Sequence, residues 1–246
     1  AAIGVADTIR SLMELGGMTE QEARDCFYLV DSKGLITADR ASLPPLKAAY
    51  ARTDLRSMTD LLEVVTTVRP TALIGLAAVP NAFNKDVVTA MAAATPRPII
   101  FALSNPTSKS ELGAQEAYQW TKGKVVYAAG SPYAPVKYKG VTHTIPQGNN
   151  LYIFPGLGLG AYLSQATEVS QGMVIAAAQA LVSATPAESL AKGDLYPPLN
   201  TMREVAAKVA QGVMRQAHEE GLDRMETWPE DLPAYVKGHM WTPSRL

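Results

Sequence analysis

The sequence predicts an α/β protein: a doubly wound parallel sheet of the Rossmann-like type, its first strand not included, with a helical C-terminal extension. Three observations lead there. Apolar runs without alternation ("TALIGLA" at 71–77, "PIIFALSN" at 98–105, "KVVYAAGSP" at 124–132) read as strands of a parallel sheet covered on both faces. Helical patterns separate them, as right-handed crossovers require. Strand ends carry polar punctuation in "VDSKG", "LSNPTS" and "AAGSP", which we read as the rim of one cleft, because ligands of such folds bind beyond the carboxyl ends of the strands.

Taken in order, the first helix is expected over residues 2–15, with Ile3, Ala6, Ile9, Leu12 and Met13 at helical spacing and Gly16 and Gly17 as its stop. "TEQEA" is a capping box from Thr19 to Glu22. "CFYLVD", residues 26–31, is expected as a strand ending in an acid, with Cys26 a buried structural thiol. "SLPPLKAAYAR" opens a helix on two prolines, and residues 59–68 form another, stopped by Pro70. "NKDVVTAMAAA" and "SELGAQEAYQWTKG" supply the crossover helices, the second closed by Gly123. After Gly140 a loop, "THTIPQGNN", leads into the Gly-rich apolar helix of "LYIFPGLGLGAYL". Helices follow over 171–184, about 202–220 and 229–237. With no flexible linker in view, residues 1–246 read as one domain: a core at 1–140, then a substrate-side loop and helical extension at 141–246.

The net charge of -1 gives no reason to expect nucleic acid or an anionic membrane surface as partner. No apolar run is long enough to span a bilayer. The single cysteine excludes an internal disulfide and a cysteine-based metal cluster. His143, His218 and His239 show no ligand spacing, and no Ser-His-Asp set, paired carboxylates or His-Glu-x-x-His helix is evident.

Asp31 is either the acid that bonds the adenosine ribose in a dinucleotide fold or a turn aspartate before Ser-x-Gly. Gly-x-Gly-x-x-Gly is absent, yet "AAIG" fits its last four positions. Ala1, Ala2 and Gly4 would then open the phosphate-facing helix, with Gly4 allowing close helix–strand packing. Lys33, Arg40, Lys47 and Arg52 form a solvated face or a site for the 2′-phosphate of NADP. Asn105 bonds a ligand or begins an Asx turn. "QGNN" offers neighbouring amides suited to a polar substrate, with Asn150 also a candidate helix cap.

The blocks "AAIGVA", "VDSKGLI", "RPIIFALSNPTSKSE", "AAGSPYAPV", "QGNNLYIFPGLGLG" and "LYPPLNTMREVAAKVA" together resemble the carboxyl-terminal half of malic enzymes, across essentially the whole chain. The resemblance implies oxidative decarboxylation of L-malate to pyruvate and carbon dioxide, with NADP as the expected cofactor, NAD as the alternative, and a divalent cation, Mg or Mn. It implies that a strand and a Gly-Ala-Gly turn precede "AAIG". It places the catalytic tyrosine and lysine, the substrate arginine and the acidic metal ligands upstream, so this chain is expected to hold no catalytic residue and no metal ligand, and to be inactive alone. Asp31 matches the acid that contacts adenosine ribose. Ser32 and Lys47 match positions that separate NADP users from NAD users; by charge alone, Arg40 is expected to assist Lys47 with a 2′-phosphate. Ala77 matches a position on the nicotinamide side, Asn105 one beside the nicotinamide ribose and malate, and Asn149 a malate-contacting amide. "TIPQGNN" departs from the Pro-Gly-Gln of many members. The implied partners are L-malate or pyruvate, the N-terminal half of the same protein and further copies of it, as a dimer or tetramer. The expected compartment is cytoplasmic, with mitochondrion or plastid as alternatives. A different class, a stand-alone nucleotide-binding or oligomerising module, would keep the fold without the reaction.

Overall fold

The computed structural model describes residues 1–191 and 193–242. It divides into two compact units, Ala1–Gly148 and Asn149–Leu246.

The first unit opens with α1 (Ala2–Leu15), ended at Gly16 and by Gly17 at φ +100°. The capping box forms as read: Thr19 Oγ1 accepts from the Glu22 amide, and the Glu22 carboxylate accepts from the Thr19 amide at 2.9 Å, starting α2 (Glu20–Asp25). The expected strand at 26–31 does not form as such. Cys26 caps the end of α2 and is exposed, not buried. Only β1 (Val30–Asp31) is strand, paired antiparallel with β2 (Gly34–Leu35) in a tight hairpin. A strand exists through its partner's N–H and C=O groups. In this chain residues 29–31 find theirs in residues 34–36, with the Ile36 amide on the Leu29 carbonyl at 2.8 Å.

Next come α3 (Pro45–Ala48) and α4 (Leu61–Val68), the latter capped by Asp60 and closed by Arg69 in the left-handed region. Three strands then alternate with two helices: β3 (Ala72–Gly75), α5 (Lys85–Ala94), β4 (Ile99–Ala102), α6 (Ala114–Trp120) and β5 (Val126–Ala129). The sheet is parallel in the order β3-β4-β5, with Gly75 beside Ala102 and Ala102 beside Ala129. Its strands are shorter than the apolar runs, because the last residues of each run leave the ladder to form the loops of the site. Ile100, Ala102, Tyr127 and Ala129 bury one face with Val65, Val88, Met91 and Leu112. Ile74, Ile99 and Phe101, on the other face, are half-buried. A second hairpin, β6 (Val136–Tyr138) with β7 (Val141–His143), turns through Gly140 at φ +81°.

The second unit is helical: α7 (Phe154–Leu163), α8 (Gln171–Ala184), α9 (Ala187–Ala191), α10 (Met202–Glu219) and α11 (Leu232–His239). Its core gathers Tyr152, Met173, Leu181, Val205, Val209 and Val213. Gly156 and Gly160 lie one turn apart on α7 and touch α10. A Cβ at Gly156 would sit 2.5 Å from the Val209 Cβ, and one at Gly160 would sit 2.7 Å from the Ala210 carbonyl oxygen. The glycine-rich composition of α7 is thus a packing device.

Candidate functional site

The β1–β2 hairpin builds the first part of the site. Gly34 turns it at φ +95°, and any Cβ there would fall 2.0 Å from the Met58 carbonyl oxygen, so the turn accepts no side chain. Asp31 Oδ1 accepts the Lys33 amide at 2.9 Å, the turn geometry of the plainer reading. Both carboxylate oxygens also carry cations. Arg40 donates to Oδ1 at 2.8 Å and Lys47 to Oδ2 at 2.5 Å, while the other Arg40 nitrogen bonds the Leu35 carbonyl at 2.6 Å. Partial burial pushes the Asp31 carboxyl up, but the bonds from Lys47, Arg40 and the Lys33 amide outweigh it and hold the group well below the usual carboxylate range. One anion faced by two cations leaves the cluster net positive. Ser32, small and exposed, sits in its turn.

Arg52, grouped with these cations by sequence alone, is committed elsewhere. It pairs with Asp54 through two bonds of 2.8 and 2.7 Å and lies 4.5 Å over the Tyr28 ring. Lys33 is exposed.

Helix α1 packs on the same hairpin. Ala6 meets Leu29, Ile36 and Tyr50, and the Tyr50 hydroxyl donates to Asp7 at 2.7 Å. Ala1, Ala2 and Gly4 are exposed at its start, where the first amides of a helix have no intrahelical acceptor and favour an anion. The packing role expected of Gly4 is not exercised within this chain, since a Cβ there meets nothing within 4 Å.

The second part of the site lies at the carboxyl ends of β3, β4 and β5. Ala77 donates its amide to Glu111 Oε1 at 3.2 Å, and Ala78, in the left-handed region at φ +54°, donates to Ser104 Oγ at 2.9 Å. The Ser104 hydroxyl donates in turn to Glu111 Oε1, and its amide reaches Glu111 Oε2 at 3.4 Å. Asn105 follows immediately. Its Oδ1 accepts from Ser131 Oγ at 2.6 Å, a bond across two strand-end loops and not within one turn. Gln147 donates to the Gly130 carbonyl at 3.1 Å, and the Gly148 amide bonds the Ala129 carbonyl at 2.8 Å. Gly130 permits the crowding, because a Cβ there would lie 2.1 Å from the Leu103 carbonyl oxygen.

"LSNPTS" and "AAGSP" therefore share one rim, as read from sequence, whereas "VDSKG" belongs to the separate hairpin and not to the three-stranded sheet. Glu111, Ser104 and Ser131 were not singled out by sequence reasoning. The only signal was a lone acid in "SKSELG" after a strand end, and nothing in its spacing tells a buried acid from an exposed one.

In the second unit Asn149, not Asn150, is the capping residue: its Oδ1 accepts the Leu151 amide at 3.0 Å. Its NH2 group is the part that can meet a carboxylate. Two of the three histidines stack on aromatic rings, His143 on Tyr118 and His218 on Trp228, and His239 lies tilted against Tyr235. Among the described residues no group of three or more His, Cys, Asp or Glu could hold a metal ion, and no helix is long and apolar enough to cross a membrane.

A parallel sheet with ligand-ready loops at its carboxyl ends, beside an acid-bearing hairpin packed on a helix start, defines a Rossmann-like domain of the dinucleotide-binding class. The chain belongs to the malic enzyme family: residues 1–218 match the family described as "Malic enzyme, NAD binding domain". It is 45% identical over 246 residues to an NADP-dependent malic enzyme of Dictyostelium discoideum, covering 99% of this chain and 45% of that protein. It is 40% identical over 241 residues to a mitochondrial NAD-dependent malic enzyme of Ascaris suum, covering 98% of this chain and 37% of that protein. The chain thus spans less than half the length of these relatives. The fold is shared with the crystal structure of an Entamoeba histolytica malic enzyme, at a TM-score of 0.69 and 21% identity over 86% of this chain and 41% of that one.

Proposed function

We propose that this chain is the cofactor-binding half of an enzyme that oxidatively decarboxylates L-malate to pyruvate and carbon dioxide, using NADP in preference to NAD. The observation that carries the cofactor preference is the Asp31 cluster. A carboxylate at this place favours ribose hydroxyls and repels a 2′-phosphate. Here Arg40 and Lys47 neutralise it and leave one positive charge over, which supports a phosphate beside the exposed Ser32. Relatives of both kinds, NADP-dependent and NAD-dependent, support a nicotinamide cofactor in general.

When bound, the nicotinamide supplies the hydride acceptor for C2 of malate. This chain's own residues bind and orient. The start of α1, with Ala1, Ala2 and Gly4, receives the phosphates. Asp31, Arg40 and Lys47 hold the adenosine end, Ala77 lines the nicotinamide side, and Asn105 and Asn149 bond the reacting partners through their amides. Holding two reactants in register is itself a large part of catalysis. Metal ligands and acid–base groups belong, in this reading, to the remainder of the protein, as the resemblance to malic enzymes implies. Self-assembly as a dimer or tetramer belongs to the same proposal.

The test is malate-dependent reduction of NADP and NAD by the full-length protein with Mg or Mn, alongside calorimetric binding of NADP and adenosine 2′,5′-bisphosphate. Turnover with a lower KM for NADP is expected. Binding without turnover would favour a stand-alone nucleotide-binding module, and absence of both would overturn the cofactor reading.

A further inference from the structure

Glu111 is a buried acid, only 1% exposed, and the proposed function gives it no role. We propose that Glu111 is a positioning residue that locks the loops after β3 and β4 in one register, so that the nicotinamide end of the cofactor meets a preformed rim. The proposal rests on reading these strand ends as the cofactor site.

Its backbone is fixed first. The Phe83 amide bonds the Glu111 carbonyl at 3.0 Å, and the Asn81 amide bonds the Ser110 carbonyl at 3.2 Å. The Tyr127 hydroxyl and the Ser110 hydroxyl both donate to the Leu112 carbonyl, at 2.7 and 3.0 Å. The side chain is thereby aimed under the ends of β3 and β4. A buried carboxylate must be compensated by donors. Here the donors are backbone and hydroxyl groups of two different loops: the Ala77 amide, the Ser104 amide and the Ser104 hydroxyl. Ser104 extends the lock by accepting from Ala78, whose left-handed backbone costs energy unless its surroundings hold it. Gly75 makes the room: a Cβ there would be 2.6 Å from the Glu111 carboxyl carbon. The bonded residues are Ala77 itself and the neighbour of Asn105. A shift of this one carboxylate therefore reaches both rim positions within one residue, while the Asp31 cluster has no bond to it.

That separation gives the test. Glu111→Gln keeps the shape but turns one of the two accepting oxygens into an NH2 group that opposes an N–H of Ser104 or Ala77, and Ser104→Ala leaves the Ala78 amide without its acceptor. In the full-length protein each is expected to weaken NADP binding, or to lower kcat/KM, at least about tenfold, while affinity for adenosine 2′,5′-bisphosphate stays within about twofold. Should Glu111→Gln not fold, Ser104→Ala carries the test. Wild-type kinetics and NADP affinity in both variants would overturn the proposal. So would equal losses for both ligands with a matching fall in Tm, which mark a purely structural acid. If the wild-type protein binds neither ligand, the cofactor reading falls and the proposal with it; if it binds both and only the variants behave unexpectedly, the proposal alone falls.

Discussion

Lys47 holds Asp31 from one side and faces open solvent with about a third of its side chain. That dual position makes it the sharpest residue for cofactor choice. A charge-assisted contact to a phosphate is worth roughly 1.5–3 kcal/mol. Lys47→Gln is therefore expected to raise the KM for NADP at least about tenfold and leave NAD nearly unchanged. Equal losses would assign Lys47 to the fold, and no loss would assign it to the solvated face. The same cluster has an acid signature. Because the folded Asp31 carboxyl lies below its ordinary value, the stabilisation is present above about pH 4 and is lost as the pH falls through and below that range. Thermal unfolding across acid pH should fall more steeply for the wild type than for Asp31→Asn; parallel curves would show that the pairs add nothing. Asn149 can be split into its two roles. Ser is as good a cap as Asn, so Asn149→Ser should preserve Tm and still cost about 1–3 kcal/mol in kcat/KM with malate. Unchanged kinetics would leave Asn149 a cap only.

Helix α7 shows what glycine does at the scale of an element. Gly156 and Gly160 bring α7 against α10, while a Cβ added at Gly158, between them, would meet nothing within 4 Å. A methyl at Gly160 would press on the Ala210 carbonyl and on Val213. Overpacking of this kind typically costs about 1–3 kcal/mol. Gly160→Ala should lose that stability in denaturant unfolding. Gly158→Ala should be neutral or gain up to about 1 kcal/mol, because a helix prefers Ala to Gly. Equal effects at both positions would mean that α7 packs on α10 by another face.

At the scale of the whole molecule, each unit carries its own core: one under the three-stranded sheet, and one around α10. The chain covers less than half of its relatives, and the proposed reading puts the metal ligands and acid–base groups in the remainder. The purified chain is therefore expected to form no NADPH from malate and NADP with Mg or Mn. Measurable turnover would place the acid–base and metal groups inside it and overturn the division of labour proposed above.

The sequence by itself determined most of the helices and the strands of the parallel ladder, although not the short α9. Helix α1, the capping box at Thr19 and helix α8 lie where periodicity and local signals put them, because caps, stops and periodicity act between residues close in the chain. The strands at 72–75, 99–102 and 126–129 were legible as apolar runs for the same reason. What only the tertiary structure decided depends on distant partners. Residues 26–31 read as a buried strand, but strand is a property of pairing, and their partner is the hairpin return at 34–36. Arg40 and Arg52 are alike in sequence, yet one meets Asp31 and the other Asp54 and Tyr28. Glu111 carries no mark of burial in "SKSELG"; its role arises because β3 and β4 end side by side and leave two loops of unpaired donors around one carboxylate. Composition and spacing encode what neighbours along the chain do, whereas the register between strands decides which polar groups are left facing each other, and that is where this site is made.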